Sequence, residues 1–561
     1  MDERVVVEVS RRGKLVLGEP YFVPGVPIVL DRKGLGDVGP GHLAVVSTGR
    51  GRARLERSLG PAASIENVLE GLLEHEGLRG GFEPYEPPAA TTEGRVDLRD
   101  LVTFTIDPET ARDFDDAISA RRDGDQIRVW VHIADVSHFV PAGSPLDHGA
   151  LARALSVYVP GRVAPMLPPE LADDLCSLRP HLDRSCVTVE VPFDAELNHG
   201  SPSFYRSVIR SRERLTYGRA EAILAGREGA SAELEEPLRL AEHVALELRR
   251  RRFARGALRL SSTEIAFEFD GDGGVAQARL ESEPHAHALV EELMILANEA
   301  VAGLLAGRRR EALFRVHETP EPQAVDLLLA KLADLGVPTP PAAEPETLSP
   351  AGAARLAAET SERVSRYVEQ ARRGREAYPT LVLRALKQAR YDPRNLGHSG
   401  LASRAYCHFT SPIRRYPDLV CHRALLRELG QGDDSLPGDL PEAAEHCSVK
   451  ERLAADVEFR ADDICLAWLL EQVLFERGWD EVFDGEITGL IGSGLFVRFG
   501  EVFEGMLPAR RLEGDYFELN PLGTALVGRR TQRTFRLGDG IAVRVESMRR
   551  EEGKVELSPA R

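Results

Sequence analysis

Four aspartates lie within ten residues of one another, at Asp107, Asp113, Asp115 and Asp116. Carboxylates held this close repel one another, so a folded protein rarely keeps several together without a cation. Hard oxygen ligands favour Mg²⁺ or Mn²⁺, and such ions also attract phosphate oxygens. The cluster therefore indicates a divalent-metal site whose ion could attract phosphate oxygens.

A chance run of surface acids and a calcium-binding loop are two simpler explanations of the cluster. A chance run of surface acids remains an alternative on this window alone. Apolar residues interrupt the acids, at Phe104, Ile106, Phe114 and Ile118, which is typical of a strand ending in a tight loop inside a core. A calcium-binding EF-hand loop requires a Gly at its sixth position and a Glu at its twelfth. Neither requirement is met by a loop that starts at Asp107, Asp113 or Asp115.

Length, charge and cysteine content restrict the class of protein. A chain of 561 residues implies three or four domains. It has no run of 18 apolar residues, and its charged start at residues 1–4 lacks an apolar signal core, so we expect neither a transmembrane helix nor export. Six scattered cysteines without a CxxC pair suit a reducing cytoplasm. The net charge of −18 means that any nucleic-acid contact must use a local basic surface.

The pattern of apolar residues and turns divides the chain into an α+β multidomain protein. Residues 1–80 predict a small β-rich module followed by a short helix at 65–74, which Ser64 would cap. A Pro- and Gly-rich linker follows at 81–97.

The remainder of the chain forms two further predicted domains. Residues 98–475 begin with strands and continue with long helices, expected at 289–305, 355–373 and 450–475. Residues 480–561 return to short strands that carry aromatic residues, which suits a five-stranded OB barrel.

The aspartate segment has the form T-I-D-x-x-x-x-x-D-x-D-D, which resembles the catalytic signature of the ribonuclease II/ribonuclease R family. Other segments resemble that family independently, and all occur in family order across 98–470: residues 157–161 with 165–168, residues 290–299 and residues 405–419. Residues 483–559 look like the family's C-terminal S1-type OB domain.

This resemblance implies a fold, an activity and a partner. It implies an RNB catalytic domain at 98–475 and an S1-type RNA-binding domain at 480–561, after an N-terminal RNA-binding module at 1–80. The implied activity is Mg²⁺-dependent hydrolysis of single-stranded RNA from the 3′ end, releasing nucleoside 5′-monophosphates in RNA turnover, with Mn²⁺ as a substitute metal. We expect a cytoplasmic monomer that binds single-stranded RNA and no membrane.

The resemblance also assigns roles at the reacting phosphate. Three aspartates would hold one or two Mg²⁺ ions: Asp107, Asp113 and Asp116. Asp115 matches the family aspartate whose loss removes cleavage, and we expect it to position or deprotonate the attacking water. Arg414 would stabilise charge on the scissile phosphate, and Arg415 would hold a neighbouring phosphate. A structural salt bridge is the alternative for either arginine.

Further residues are implied to contact RNA. Tyr158 matches the family tyrosine that stacks on the 3′-terminal base, and Leu260 stands where some members have its Phe partner. Glu291 and Glu458 match acids near the terminal ribose and the strand path, with a solvated or ion-paired Glu as the alternative. Phe496 is a candidate RNA platform on the OB barrel, with a core position as its alternative.

The chain departs from the family at its N-terminus, where residues 1–57 are enough for one small barrel or a mixed winged module rather than two cold-shock barrels. An inactive RNA-binding relative would be expected to have lost Arg414 or part of the aspartate set, and both are present. A structural metal-binding protein would not explain Tyr158, Arg414 and the OB tail together. Ribonuclease II-like stalling at duplexes and ribonuclease R-like invasion of them both stay open.

Overall fold

The computed structural model describes residues 3–31, 34–49, 52–259, 264–271, 273–281, 285–341, 348–432 and 434–560. Leu260, the expected stacking partner of Tyr158, lies outside these ranges. None of the helices within them combines the length and the apolar character needed to cross a membrane.

The N-terminal module is one antiparallel sheet with the strand order β3-β2-β1-β4-β5 and a helix packed on it. Its elements are β1 (Glu3–Arg12), β2 (Leu15–Pro20), β3 (Ile28–Val29), β4 (His42–Thr48), β5 (Arg54–Pro61) and α1 (Ile65–His75). Helix α1 turns one apolar face onto the core, and Ile65, Val68, Leu69 and Leu72 are at most 1% exposed. Ser64 occupies the N-cap position, but its side chain makes no capping hydrogen bond, so that part of the prediction is wrong.

A sheet with the order β14-β7-β8-β9-β12-β13-β6 forms the centre of the second domain. Its strands are β6 (Val96–Asp97), β7 (Phe104–Asp107), β8 (Asp116–Asp123), β9 (Gln126–Ala134), β12 (Asp183–Phe193), β13 (Ser203–Arg210) and β14 (Glu213–Thr216). Strands β7 and β8 are antiparallel neighbours. The end of β7 and the start of β8 therefore lie at the same edge of the sheet, and the aspartates cluster there.

In the part of the chain that the structure describes, three small two-stranded sheets accompany this one. They pair β10 (Val157–Val159) with β11 (Arg162–Ala164), β15 (Glu264–Phe269) with β16 (Val275–Glu281), and β17 (Phe314–Val316) with β18 (Arg390–Asp392).

Helices cover the sheet and connect the domains. They are α2 (Val136–Phe139), α3 (Pro145–Arg153), α4 (Tyr217–Leu224), α5 (Ala232–Ala254), α6 (His285–Gly307), α7 (Pro322–Asp334), α8 (Pro350–Ala371), α9 (Ala377–Arg384), α10 (Tyr416–Glu428) and α11 (Leu440–Arg477). Phe104 and Ile106 of β7 share one apolar core with Leu238 of α5 and Leu293 of α6. The three long helices expected from the sequence correspond to α6, α8 and α11.

Helix α11 spans 38 residues and touches all three parts of the molecule. Glu458 bonds to the main chain of Tyr158 in the catalytic domain. Arg460 forms an ion pair with Glu76 beside the N-terminal module. The helix also contacts strands β21 and β26 of the C-terminal domain. It therefore fixes both flanking domains relative to the strand β10 that carries Tyr158.

The C-terminal domain is a closed barrel with the strand order β19-β20-β21-β26-β25, which confirms the five-stranded OB barrel. Its strands are β19 (Phe483–Ile491), β20 (Gly494–Phe499), β21 (Phe503–Pro508), β25 (Gly540–Arg549) and β26 (Lys554–Pro559). Between β21 and β25 the chain forms a separate three-stranded sheet, which we call the meander: β22 (Phe517–Leu519), β23 (Ala525–Gly528) and β24 (Thr534–Arg536).

Candidate active site

Residues 108–115, which we call the aspartate loop, join β7 to β8. Ser177 ties this loop to the domain, because its hydroxyl donates to the carbonyl of Arg112 at 2.7 Å and accepts from the amide of Phe114 at 3.1 Å. Asp107 just before the loop is 8% exposed, and Asp115 at its end is 4% exposed. The surface-acid alternative is therefore wrong for these two residues.

Arg214 is a second anchor of the aspartate loop, and sequence reasoning did not single it out. It lies on β14, which pairs in parallel with β7 and sets Arg214 beside Thr105. Its Nη2 donates to the carbonyls of Pro108 and, at 2.9 Å, Glu109. Its guanidinium carbon lies 5.3 Å from the centroid of the Phe114 ring. The one signal in the sequence is its place in residues 206–219, which contain five arginines.

The pKa values of Asp107 and Asp116 are both raised, and the charge of Asp107 contributes to the rise at Asp116. Burial raises the pKa of Asp107 to about 6, and the charge of Asp113 adds to this, whereas Arg214 opposes it. Burial raises the pKa of Asp116 to about 7, with a further contribution from Asp107. Two neighbouring carboxylates, one buried and one half-buried, are unfavourable when both are ionised, and a cation between them removes the penalty.

An unpartnered oxygen supports the same interpretation. Oδ2 of Asp107 is buried and forms no hydrogen bond within the described residues. Buried polar atoms are normally satisfied, so such an atom indicates a missing ion or water. No three His, Cys, Asp or Glu side chains in the described ranges already form a metal-binding group. Asp107 and Asp116 nonetheless offer the hard oxygen donors that Mg²⁺ or Mn²⁺ prefers, so the residues fit such an ion.

The segment 407–415, which we call the arginine loop, meets the aspartate loop at Asp115. The amide of Ile413 donates to Oδ1 of Asp115 at 2.8 Å, and Nε of Arg414 lies 3.3 Å from Oδ2. Nη2 of Arg414 donates to the hydroxyl of Ser411 at 3.1 Å. Although Asp115 is buried, the Arg414 side chain is 45% exposed. Burial raises the pKa of Asp115, and Arg414 opposes that rise.

Arg415 lies next to Arg414 but points into a different environment. Its Nε and Nη2 form a two-point salt bridge with Asp418, at 2.9 and 2.8 Å. Asp418 is fully buried and also accepts from the amide of Ser411 at 2.8 Å. The structure therefore shows the salt bridge that was the alternative for Arg415, and this bridge closes the arginine loop onto α10. Its expected phosphate contact stays a prediction.

Tyr158 reaches the aspartate loop through its hydroxyl. The hydroxyl donates to Oδ2 of Asp113 at 2.6 Å, and the amide of Tyr158 donates to Oε1 of Glu458 at 2.8 Å. The residue is 36% exposed, so its ring is accessible to a ligand. One carboxylate oxygen of Asp113, an expected metal ligand, therefore accepts a hydrogen bond from Tyr158, the residue expected to stack on the terminal base.

The other expected RNA contacts are more dispersed. Glu291 pairs with Arg252 at 3.2 Å, and Arg252 also binds the buried Glu292. Phe496 lies on β20 of the barrel and is partly buried.

Tyr217, at the start of α4, was not predicted. Burial, together with the charges of Asp116 and Asp107, raises its pKa, so it lies near the aspartate cluster.

Comparison of the chain with known protein families identifies two domains. The model of the RNB domain matches residues 95–431, and that of the S1 RNA binding domain matches residues 478–559. The chain belongs to the RNB-domain family of ribonuclease II and ribonuclease R.

Individual relatives are named Ribonuclease R. The Escherichia coli (strain K12) protein is 38% identical over 491 residues, which cover 84% of this chain and 58% of that protein. The Aquifex aeolicus protein is 37% identical over 483 residues, which cover 84% of this chain and 66% of that protein. The chain therefore spans about three-fifths to two-thirds of the length of these relatives.

Solved structures share the fold at lower sequence identity. Mycoplasma genitalium RNase R in complex with ribose-methylated single-stranded RNA matches with a TM-score of 0.88 and 23% identity, covering 100% of this chain and 90% of that one. Yeast Ssd1, described as a pseudonuclease, matches with a TM-score of 0.66 and 18% identity, covering 94% of this chain and 67% of that one. One fold therefore occurs both in a ribonuclease and in a pseudonuclease.

Proposed function

We propose that this protein is a 3′→5′ exoribonuclease that hydrolyses single-stranded RNA to nucleoside 5′-monophosphates with Mg²⁺. The observation that carries the proposal is the contact between Asp115 and the arginine loop. It brings a buried carboxylate and a half-exposed guanidinium together beside two carboxylates that fit a metal ion. The Ribonuclease R relatives support the same activity.

The residues divide the chemistry among them. Asp107 and Asp116 would hold Mg²⁺, with Asp113 as a third ligand, and the bound ion would polarise the phosphate and lower the pKa of a bound water. Asp115 uses one lone pair on each oxygen for Ile413 and Arg414, which leaves lone pairs that can orient that water or accept its proton.

Arg414 is suited to the phosphate because of the donors that it retains. Its Nε is directed at Asp115 and its Nη2 at Ser411, so the guanidinium is fixed in orientation before substrate arrives. The remaining N–H groups can bind a phosphate oxygen, as guanidinium groups do with charge-assisted hydrogen bonds. A donor held in place in this way stabilises negative charge as it develops.

The position of the site explains why a chain end would be the substrate. Asp107 and Asp115 are buried, so only a threaded single strand could present its phosphate there. The Tyr158 ring could stack on any terminal base, because every base has a π-face. The 2′-hydroxyl is the natural feature that distinguishes RNA from DNA. We further propose that the protein acts as a cytoplasmic monomer.

The proposal is tested with RNA labelled at its 3′ terminus, incubated with and without Mg²⁺ and with excess EDTA. We expect the label to be released first, as a nucleoside 5′-monophosphate, only when Mg²⁺ is present. DNA of the same sequence should persist. Hairpins with 3′ overhangs of several lengths would then show whether duplexes stop the enzyme. Internal fragments as the first products, or hydrolysis that survives EDTA, would contradict the proposal.

An RNA-binding protein without hydrolytic activity is the second candidate, because the fold also occurs in the pseudonuclease Ssd1. It predicts that the same labelled RNA is bound and recovered intact at every Mg²⁺ concentration. The complete aspartate set and the contact of Arg414 with Asp115 favour the nuclease.

Tyr158 allows its ring to be tested separately from its hydroxyl. Tyr158→Phe keeps the stacking ring but removes the bond to Asp113, so RNA affinity in EDTA should stay near wild type. The Mg²⁺ concentration for half-maximal rate should rise by about 10–100-fold, the usual effect of losing a partner that orients a metal ligand. Tyr158→Ala should in addition weaken RNA binding by roughly 1–3 kcal/mol. An unchanged Mg²⁺ dependence in Tyr158→Phe would show that the hydroxyl does not orient a metal ligand.

A further inference from the structure

The hairpin of β10 and β11, which carries Tyr158, has one face toward the active site and one toward the N-terminal module. The Tyr158 hydroxyl reaches Asp113, whereas Val157 and Val159 on either side of it are at most 5% exposed. Successive side chains of a strand point to opposite faces, so both valines point away from the aspartate loop. They belong to the same apolar core as the buried face of α1, and α1 also contacts β11. The N-terminal module therefore supports the face of the hairpin opposite Tyr158.

Glu70 of α1 is the centre of an ion-pair network at this contact. Its side chain is 10% exposed. Oε2 accepts from Nε and Nη2 of Arg79, at 3.1 and 2.7 Å, and Nη1 of Arg162 lies 3.4 Å from it. Oε1 accepts from Nη2 of Arg57 at 2.9 Å. Although burial raises the pKa of Glu70, the hydrogen bonds and charges of these arginines lower it overall, so the carboxylate stays ionised.

Two of these arginines connect Glu70 to the hairpin. Arg162 is itself a residue of β11. Arg79 lies shortly after α1 in the chain, and its Nη1 donates to the carbonyl of Val163 at 2.8 Å. Val163 is the residue of β11 that pairs with Tyr158. Glu70 therefore holds the strand beside Tyr158 in two ways, by an ion pair with that strand and by orienting the arginine that bonds to its main chain.

Glu74, one turn further along α1, provides a comparison within the same helix. Its side chain is 3% exposed, and it binds Arg57 at 2.5 Å and Arg4 at 3.2 Å. Both arginines lie on strands of the N-terminal module. Within the described residues, the ion pairs of Glu74 thus stay inside the module, whereas those of Glu70 extend to the hairpin.

We propose that Glu70 is a positioning residue for the terminal base: through Arg79 and Arg162 it fixes the β10–β11 hairpin where the Tyr158 ring can stack on the 3′ end of RNA. The proposal rests on the proposed function, because it supposes that Tyr158 stacks on the terminal base. Stacking depends on the position of the ring, so support lost at β11 weakens stacking although the ring is still present. The N-terminal module then helps to align the substrate without having to touch it.

The test is a double-mutant cycle on the full chain, with a short RNA that carries 2-aminopurine at its 3′ end and with EDTA present so that RNA stays intact. Stacking quenches the fluorescence of 2-aminopurine. In Glu70→Gln we expect weaker quenching in the complex and a Kd about fivefold higher, the lower end of the effect of losing one stacked base. In the Tyr158→Ala background the same substitution should have no further effect, because the ring that Glu70 positions is absent.

Glu74→Gln is the matched control, because it alters a second buried carboxylate of α1 that also binds Arg57. Its quenching and its Kd should equal those of wild type, even where its unfolding temperature falls. Should Glu70→Gln not fold, Arg79→Gln and Arg162→Gln remove the two connections separately and leave Glu70 bound to Arg57. Each should weaken the quenching, and neither should do so in the Tyr158→Ala background.

A loss in Glu70→Gln that persists in the Tyr158→Ala background would overturn the proposal in favour of a general structural role. Unchanged quenching in Glu70→Gln, or an equal loss in Glu74→Gln, would also overturn it. If Tyr158→Ala alone leaves the quenching unchanged, the proposal is wrong together with the terminal-base contact. If the coupling is found but no RNA is hydrolysed when Mg²⁺ is supplied, the positioning role stands and the proposed nuclease activity is wrong.

Discussion

Asp115→Asn should lower RNA hydrolysis by about 10²–10⁴-fold, the range that a positioned proton acceptor contributes, while RNA binding stays close to wild type. The substitution is nearly isosteric, and the amide oxygen can still accept from the amide of Ile413. Its NH₂ group would face Nε of Arg414, so a donor would replace the acceptor that now fixes the guanidinium. The change therefore affects both the activation of water and the orientation of Arg414.

Two further variants separate this effect from metal loss and from surface charge. Asp116→Asn removes an expected metal ligand, so a higher Mg²⁺ or Mn²⁺ concentration should restore part of its activity, whereas Asp115→Asn should not respond. Asp125→Asn alters an exposed aspartate in the turn between β8 and β9 and should behave as wild type. Single-turnover rates across a metal titration provide the measurement. Recovery of Asp115→Asn at high metal would reassign Asp115 as a ligand.

Local patterns predicted those parts of the fold that depend on neighbours in sequence. The run of short strands after residue 480 was enough to indicate a five-stranded barrel, and the structure confirms it. The apolar residues that interrupt the aspartates indicated a strand end that leads into a loop, and β7 ends at Asp107. Ser64 shows the limit of such patterns, because a favourable residue at the N-cap position need not form the capping bond.

The active-site contacts could not be read from local patterns, since they join distant segments. Asp115 and Ile413 are 298 positions apart, and only the family resemblance placed them in one site. Arg214 anchors the aspartate loop from a strand that follows it by about a hundred residues, and no local signal reveals that pairing. Whether an arginine binds phosphate or a carboxylate depends on what the fold places beside it. Arg415, which the family resemblance placed at a phosphate, is therefore ion-paired with Asp418.

Substitutions of the neighbouring residues Arg414 and Arg415 should have different effects, the first on the catalytic rate and the second on stability. Arg414→Ala should reduce the catalytic rate by roughly 10²–10³-fold, the effect of removing one preorganised donor at a developing charge. Its effect on RNA affinity should be small, because one phosphate contact among many adds little to binding. Arg414→Lys should recover only part of the rate, since an ammonium group cannot bond to Asp115, Ser411 and a phosphate in the same planar geometry.

Arg415→Ala should mainly lower stability, because Arg415 neutralises the fully buried Asp418. Removing one partner of a buried pair leaves an uncompensated charge and lowers the free energy of unfolding by about 3–5 kcal/mol. Thermal unfolding should therefore shift strongly in Arg415→Ala and little in Arg414→Ala, whereas single-turnover rates with folded protein should fall most in Arg414→Ala. Equal losses of rate and affinity in Arg414→Ala would make it an ordinary phosphate anchor, and the developing charge would then need another donor.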